Sequence, residues 1–221
     1  MPEGLINVNG DSVQTLEILF LTTIIALLPS ILVMMTSFTR IIISLSFLRT
    51  AMGTQQNPPN TVLIGIALFL TLFIMSPVLN EIQVNAYEPY TRQEITQAEA
   101  LARAEQPLKS FMLRNTEQSS LRMFCDLAQV DEPETDEEAM ALAMRVVIPS
   151  YITSELKAAF QIGFFLYIPF MLMDIVVSST LMSMGMIMLP PAMISMPFKL
   201  LLFITVDGWE LLFSTLAQGF H

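Results

Sequence analysis

Long stretches of this sequence contain no charged residue. Residues 18–39 and 50–80 lack Asp, Glu, Lys and Arg, and residues 158–206 contain only Asp174 and Lys199. Only 14% of the chain is charged, whereas about a quarter of a soluble domain is charged. A helix needs about 20 apolar residues to cross a bilayer, and four stretches meet or approach that length, at roughly 16–39, 61–80, 158–189 and 192–217. The sequence therefore predicts a membrane protein built from apolar helices.

Most of the negative charge lies in one internal segment. Fourteen of the twenty acidic residues fall between Glu81 and Lys157. We therefore expect an all-α membrane protein in which two long kinked helical hairpins flank a polar helical insert. The predicted parts are an external N-terminal segment at 1–15, a first hairpin at 16–80, the insert at 81–148 and a second hairpin at 149–221.

Four prolines lie in or beside the apolar stretches. They are Pro29, Pro77, Pro169 and Pro197. Proline removes a backbone donor and clashes with the preceding helical turn, so we expect kinked or broken helices at these positions. Freed backbone groups in lipid must be satisfied by neighbouring helices or by a cavity. The chain is therefore expected to be surrounded largely by protein, although plain spans with tolerated kinks are the alternative.

The orientation follows from the basic residues after the first span. Arg40 and Arg49 lie in a predicted loop at 40–60 that contains no acidic residue. Basic loops of this length stay in the cytoplasm. Alternation of the spans then predicts that the insert and both termini are extracytoplasmic.

The insert has helical sequence patterns. Thr91-x-x-Glu94 matches a capping box, and Pro107 is suited to the start of a second helix. Apolar residues at Leu121, Phe124 and Ala128 have helical spacing. The acidic run at 131–138 is interpreted as a solvated loop, and a binding site for basic cargo is the alternative.

Composition argues against several classes of function. The chain has one cysteine, Cys125, and one histidine, His221, so multi-cysteine metal sites and histidine-based catalysis have no residues to use. Its ten basic residues are spread singly along the chain, which argues against nucleic-acid binding. Asp174 and Asp207 could in principle form an aspartyl dyad, but their sequence context does not favour one. We expect no cofactor, no metal and no enzymatic activity.

Two short turns share one spacing. Met52-Gly53-x4-Pro58-Pro59 matches Met184-Gly185-x4-Pro190-Pro191. The four intervening residues are polar in the first turn (54–57) and apolar in the second (186–189). Because turns normally face water, an apolar turn between two helices is a poor loop for a monomer.

Methionines alternate strictly through the second turn. They are Met182, Met184, Met186 and Met188. In an extended segment a period of two points them all to one side. Methionine is flexible and polarisable, so a ring of such turns could seal an aperture and still deform around a passing object. The alternative is that a chain with 17 methionines uses them as core filler.

Three charges stand alone among the apolar residues of the second half, Glu155, Asp174 and Lys199. Ionisable groups in such surroundings are costly and usually face a partner or a cavity. They pair either within the chain or between copies of it, and the sequence leaves both possibilities open.

One long motif resembles a known family. Residues 149–164, PSYITSELKAAFQIGF, are similar to the signature of the FliP family of flagellar type III export-gate proteins and their virulence-secretion relatives. Further agreement lies at residues 34–40, 48–60, 197–199 and 206–209, and the similarity runs from about residue 16 to residue 220.

The resemblance implies a structural role in protein export. It implies a pentamer that assembles with FliR and FliQ, with FlhB and FlhA nearby, in the bacterial inner membrane at the flagellar basal body. Unfolded rod, hook and filament proteins would pass through its pore. Met184, Met186 and Met188 would form a methionine gasket, with Ile187 where relatives often have a further methionine. Glu155, Asp174 and Lys199 would make contacts between subunits.

Two other functions remain open at this stage. The same resemblance fits the corresponding subunit of a virulence type III secretion system. Proline-interrupted helices and a repeated hairpin also fit a self-contained channel or transporter for small solutes.

Overall fold

In a computed structural model of the chain, the described residues are 5–8, 11–186 and 188–220. Ten α-helices and one short pair of strands are found in these residues. Their bounds are β1 Leu5–Val8, β2 Asp11–Gln14, α1 Thr15–Met35, α2 Phe38–Met52, α3 Asn60–Ile82, α4 Glu88–Thr91, α5 Gln97–Arg114, α6 Gln118–Ala128, α7 Asp136–Ala141, α8 Met144–Ser183, α9 Pro191–Thr205 and α10 Gly208–Gln218. A π-helical turn, Gln83–Tyr87, joins α3 to α4.

The helical prediction is confirmed for the elements from Thr15 onward. Before them, β1 and β2 form an antiparallel pair in which Val8 is opposite Asp11 and Leu5 is opposite Gln14. The predicted external N-terminal segment at 1–15 included no prediction of these strands.

The first hairpin is bent at a position that the prolines do not mark. Pro29 lies inside α1, and the sharp bend of 78° falls between Pro29–Met35 and Phe38–Met52. At this bend the Thr36 hydroxyl accepts a hydrogen bond from the Phe38 amide at 3.3 Å. A side-chain acceptor next to the backbone competes with helical hydrogen bonding, which accounts for a break here.

Residues 38–52 form α2, although a loop was predicted at 40–60. That prediction was wrong because α2 buries one complete face, including Arg40, Leu45 and Leu48, against its neighbours. Arg40, one of the two basic residues that suggested a loop, is buried in α2 and does not face solvent. The turn that connects α2 to α3 is confined to residues 53–59.

The second hairpin contains the longest helix. α8 has 40 residues and includes Pro149 and Pro169 without interruption. The returning arm is broken between α9 and α10, which meet at 63°. The break occurs at Asp207, whose φ of 50° is left-handed and therefore cannot continue a right-handed helix. α8 and α9 continue through Pro169 and Pro197 without a break, so the break in this hairpin lies at Asp207 and not at a proline.

Two continuous helical segments are long and apolar enough to cross a membrane, Asn60–Thr91 and Met144–Ser183. If each bent pair counts as one span, the described residues contain up to four. Three of the predicted apolar stretches, 61–80, 158–189 and 192–217, lie largely within these segments, whereas the first, 16–39, overlaps its bent pair only at 29–39.

The insert is helical, but its boundaries differ from the prediction. The capping box is at Thr96 and Glu99, not at Thr91 and Glu94, and α5 continues through Pro107. α6 covers the predicted helix around Leu121 to Ala128, which is confirmed. Part of the acidic run forms α7, because Asp136, Glu137 and Glu138 in its first turn favour a helix N-terminus.

Two apolar clusters hold these elements together. The first joins both hairpins through Leu45, Leu48, Leu63, Phe170 and Leu216. The second joins the insert to the hairpins, with Phe111 and Met112 of α5 against residues of α3 and α8. The insert is therefore packed directly against α3 and α8.

Candidate functional site

The second turn extends well beyond the first because α8 is longer than α2. The two helices run in parallel: Arg40 contacts Glu155, and Phe47 packs edge-on against Phe160 at 5.3 Å between ring centroids. Phe170 is the last buried α8 residue of the cluster that joins the hairpins. From there α8 continues to Ser183, roughly 13 residues and about 20 Å at the helical rise. The methionine-bearing turn, residues 184–188, is therefore the tip of a projecting hairpin.

The methionine turn begins with a helix cap. Met186 donates its amide hydrogen to Leu181 O at 2.9 Å, and Gly185 donates to Met182 O at 3.0 Å. These two bonds, with Gly185 at φ 76°, form a Schellman motif at the end of α8. The expectation of an extended segment with alternating side chains was therefore wrong, since Met182 is helical and Met184 and Met186 belong to a tight turn.

The methionines of this turn are exposed in a single chain. The exposed fractions are 60% for Met184, 42% for Met186 and 97% for Met188. Ile187, the fourth predicted gasket residue, lies outside the described residues. The alternative that these methionines fill the core of the chain does not hold for Met184, Met186 and Met188.

The first turn shares one bond of this cap but carries different chemistry. Gly53 has φ 73° and donates to Thr50 O at 3.1 Å, which is the bond that Gly185 makes to Met182 O. Arg49 then donates to Pro58 O at 3.2 Å and to Asn60 Oδ1 at 2.6 Å. At the equivalent spacing the second turn has Leu181 and Ala192. The shared sequence spacing therefore corresponds to a shared left-handed glycine and one shared cap bond, and a polar bridge spans the first turn.

Glu155 is fully buried and pairs with Arg40 of the same chain. Arg40 Nε donates to Glu155 Oε2 at 2.9 Å and Nη2 donates to Oε1 at 2.5 Å. Arg40 Nη1 also donates to Gly219 O at 2.7 Å, and its guanidinium carbon lies 3.9 Å from the centre of the Phe220 ring. One arginine thereby joins α2, α8 and the residues after α10.

Asp174 and Lys199 also pair within the chain. Lys199 Nζ lies 2.7 Å from Asp174 Oδ2 and donates to Ala51 O at 3.1 Å. Ser195 Oγ donates to Asp174 Oδ1 at 2.6 Å. Asp174 is thus engaged by a lysine and a serine, which is unlike the carboxylate pair of an aspartyl dyad.

The structure resolves one alternative that the sequence left open. Glu155, Asp174 and Lys199 each have a partner in the same chain, and contacts of these charges between copies stay a prediction. Sequence reasoning missed Arg40 and Ser195 as partners. Arg40 could have been found, because it is the only charged residue between Glu17 and Arg49.

A surface ion pair links the insert to α8. Lys157 Nζ lies 2.6 Å from Glu117 Oε1, and the Glu117 amide donates to Ser154 Oγ at 2.9 Å. The hydrogen bond from Lys157 lowers the pKa of the Glu117 carboxyl below its ordinary range. The start of α6 is therefore held on α8 by both backbone and side-chain contacts.

The described residues contain no group of three or more His, Cys, Asp or Glu side chains placed to hold a metal ion. Cys125 is buried, and burial raises the pKa of its thiol. Raising a thiol pKa disfavours the reactive thiolate.

Comparisons with known proteins agree with the motif resemblance. A family model described as the FliP family matches residues 21–216. The chain is 53% identical to the flagellar biosynthetic protein FliP of Pectobacterium carotovorum, over 96% of this chain and 82% of that protein. It is 50% identical to that of Bacillus subtilis, over 94% and 92% of the two chains. It is 46% identical to that of Aquifex aeolicus, over 96% and 88%.

Proposed function

Because this chain belongs to the FliP family, whose relatives named above are flagellar biosynthetic proteins, we propose that it is a pore-forming subunit of the flagellar protein export gate. In this role it passes unfolded rod, hook and filament proteins across the bacterial inner membrane. The first turn, residues 53–59, faces the cytoplasm, and the insert lies on the extracytoplasmic side.

The observation that carries the pore role is the exposed methionine turn at the end of the projecting hairpin. Met184, Met186 and Met188 present apolar, flexible side chains where a turn would normally present polar groups to water. Several such turns around one axis would close an aperture by apolar contact. The Ile187 side chain would contribute to the same seal.

An assembly of several copies also accounts for the apolar surface of the helices. Phe69 and Phe73 of α3 and Phe164 and Phe165 of α8 are mostly exposed in the single chain. Extensive apolar exposure marks a surface that another protein or lipid covers. We propose that further copies, forming a pentamer, cover much of it together with FliQ, FliR and FlhB, and that FlhA lies nearby.

Glu155, Asp174 and Lys199 are proposed to support contacts between copies indirectly. Their in-chain partners hold α2, α8 and α9 in a fixed relation. The surfaces that neighbouring copies meet would then be kept in register. The proposed role needs no catalytic residue and no cofactor.

The test replaces the three described gasket methionines together by alanine. Cells that carry Met184→Ala, Met186→Ala and Met188→Ala in place of the native chain are expected to leak small ions through the assembled gate while export of hook and filament proteins continues at least in part. The matched control is Met123→Ala, which removes an exposed methionine from α6 of the insert.

Ion leakage and secreted flagellar protein are measured in the same cells, after the amount of intact complex has been compared by mild detergent extraction. An unchanged leak in the triple variant, with the complex intact, would refute the gasket role. Passage of small solutes through liposomes that contain only the purified chain would instead favour the small-solute channel. The relatives named above support the flagellar branch over a virulence system.

A further inference from the structure

We propose that Ser195 and Lys199 form a clamp that positions the methionine turn by fixing the projecting hairpin to the end of α2. The clamp consists of Asp174 on α8, Ser195 and Lys199 on α9, and the carbonyl of Ala51 on α2. Ser195 and Lys199 are positioning residues, because neither belongs to the turn itself. The inference rests on the proposed gate function for its consequence, but its geometry can be tested separately.

The first observation is that Lys199 satisfies the end of a helix in the other hairpin. The last carbonyls of a helix have no partner within it, and its C-terminus carries partial negative charge. α2 ends at Met52, and the Gly53 amide turns back to Thr50 O. The Lys199 ammonium, 5% exposed as a residue, donates to the next carbonyl, Ala51 O. α9 is thereby bonded to the helix that leads into the first turn.

The second observation concerns Ser195, which no sequence feature singled out. Ser195 is completely buried and lies one helical turn before Lys199. Its hydroxyl donates to one oxygen of Asp174, and Lys199 engages the other. A carboxylate held at both oxygens has a fixed orientation, and loss of the Ser195 hydroxyl leaves one oxygen of the part-buried Asp174 without its protein donor. Ser195 therefore controls how firmly Asp174 can hold Lys199.

The third observation is the location of the clamp along the hairpin. Three described polar contacts join the first hairpin to the second: Arg40 with Glu155, Arg40 with Gly219, and Lys199 with Ala51. The Lys199 contact is the nearest of these to the methionine turn. Asp174 is nine residues before Ser183, so the arm beyond the clamp is about 14 Å long. A small rotation at the clamp therefore moves Met188 by a larger distance.

This placement couples the two turns. Movement of the first turn, residues 53–59, would be transmitted through the end of α2 to Lys199 and then to the projecting arm. The hydrogen bond from the buried Ser195 hydroxyl keeps the Asp174 carboxylate from turning towards solvent. The link from α9 through Lys199 to α2 is therefore rigid. Weakening the clamp should loosen the seal formed by the methionine turns without dismantling either hairpin.

The primary test uses distance measurement in the intact gate complex. Spin labels are placed at Gln56 in the first turn and Met188 in the second, both exposed, in a Cys125→Ala background. The Ser195→Ala variant is expected to broaden the distance distribution and to raise the displaced population roughly fivefold, the factor that one hydrogen bond supplies. Lys199→Met should give a larger broadening, since it removes both contacts of the ammonium.

The control is Ser214→Ala, which removes a serine whose hydroxyl bonds only one turn back in its own helix, to Leu211 O. It should leave the distribution unchanged. An unchanged distribution in Ser195→Ala and Lys199→Met, with the complex intact, would overturn the clamp. If Lys199→Met fails to assemble, Ser195→Ala still decides, because it removes a single oxygen.

Ion leakage, measured in cells that carry the unlabelled Ser195→Ala or Lys199→Met variant with Met188 intact, separates this inference from the gate proposal. A broadened distribution with increased leakage supports both. A broadened distribution without leakage supports the clamp and counts against the pore role of the methionine turn. A narrow distribution with unchanged leakage counts against the clamp alone.

Discussion

Arg40 and Glu155 form a two-point ion pair in the interior of the chain, with Nε to Oε2 at 2.9 Å and Nη2 to Oε1 at 2.5 Å. Glu155 is completely buried and Arg40 nearly so. The pair connects α2 of the first hairpin to α8 of the second across 115 positions of sequence. Burial of two charges is costly, but removal of one partner leaves the other uncompensated.

Single substitutions of this pair are therefore expected to be more harmful than the double substitution. Glu155→Leu or Arg40→Met alone should destabilise the chain by about 3–5 kcal/mol, whereas the double variant should recover much of that loss. Thermal unfolding of the purified protein in detergent measures the difference. Arg92→Met is the control, since Arg92 and Glu88 form an exposed pair that should contribute about 0–1 kcal/mol. A double variant as unstable as the worse single one would contradict the argument.

The Glu117–Lys157 contact should make the attachment of the insert depend on pH. Lys157 lowers the pKa of Glu117 in the folded chain, so folding favours the ionised carboxylate. A depressed folded-state pKa contributes stability that is present above the ordinary glutamate pKa of about 4.3 and is lost as the pH falls through the folded-state value. The parent should therefore lose stability over this acidic range more steeply than Glu117→Gln.

Thermal midpoints of the parent and Glu117→Gln, measured from neutral to acidic pH, check this prediction. The two midpoints should converge as the carboxyl of the parent becomes protonated. Lys157→Met removes the partner and should show the same loss of pH dependence. If the difference in thermal midpoint between the parent and Glu117→Gln stays constant down to acidic pH, the Glu117–Lys157 contact does not contribute to the pH dependence of stability.

The capping box provides a prediction with an internal control. The Thr96 hydroxyl accepts from the Glu99 amide at 3.3 Å, and Glu99 Oε2 accepts from the Thr96 amide at 2.8 Å. Thr96→Ala should therefore weaken the start of α5 by about 1 kcal/mol. Thr91→Ala should have a smaller effect, because the Thr91 hydroxyl bonds only to Glu88 O at the end of a four-residue helix. Hydrogen exchange of the first amides of α5 distinguishes the two variants.

The misplaced capping box shows what a local pattern can and cannot determine. Thr91 and Thr96 both precede a glutamate by three residues, so the pattern alone does not choose between them. The chain chooses Thr96 because residues 83–91 continue from α3 as a π-helical turn and α4. Composition and apolar length predicted the hairpins, whereas such boundaries depend on neighbouring elements.

The prolines and charges illustrate the same limit on a larger scale. The four prolines of the apolar stretches all lie inside helices, at Pro29, Pro77, Pro169 and Pro197. The loss of one backbone N–H does not force a sharp turn when the rest of the helix is packed against its neighbours. The sharp bends occur where a hydroxyl competes with the backbone or a residue adopts a left-handed conformation. Pairing of Arg40 with Glu155 joins distant positions and has no local signal. The apolar turn, in contrast, was recognisable in the sequence, because residues 186–189 are apolar although turns usually contain polar residues.

Two helical glycines should respond in opposite ways to the same substitution. A Cβ added at Gly163 of α8 would overlap the ring of Phe47 on α2, whereas a Cβ at Gly65 of α3 would meet nothing within 4 Å. Gly163→Ala should therefore separate α2 from α8 or displace Phe47, at a cost of about 1–3 kcal/mol. Gly65→Ala should stabilise the chain by about 0.4–1 kcal/mol, because alanine reduces the freedom of the unfolded helix segment.

Thermal unfolding of both variants, purified in the same detergent, checks the sign and the size of each change. A further variant, Phe47→Leu combined with Gly163→Ala, should recover part of the lost stability, since a smaller side chain leaves room for the added methyl group. Equal destabilisation by Gly163→Ala with and without Phe47→Leu would contradict the close packing of α2 on α8. That packing places Arg40 beside Glu155 and the end of α2 beside Lys199. Its loss should therefore also broaden the distribution of distances between the two turns.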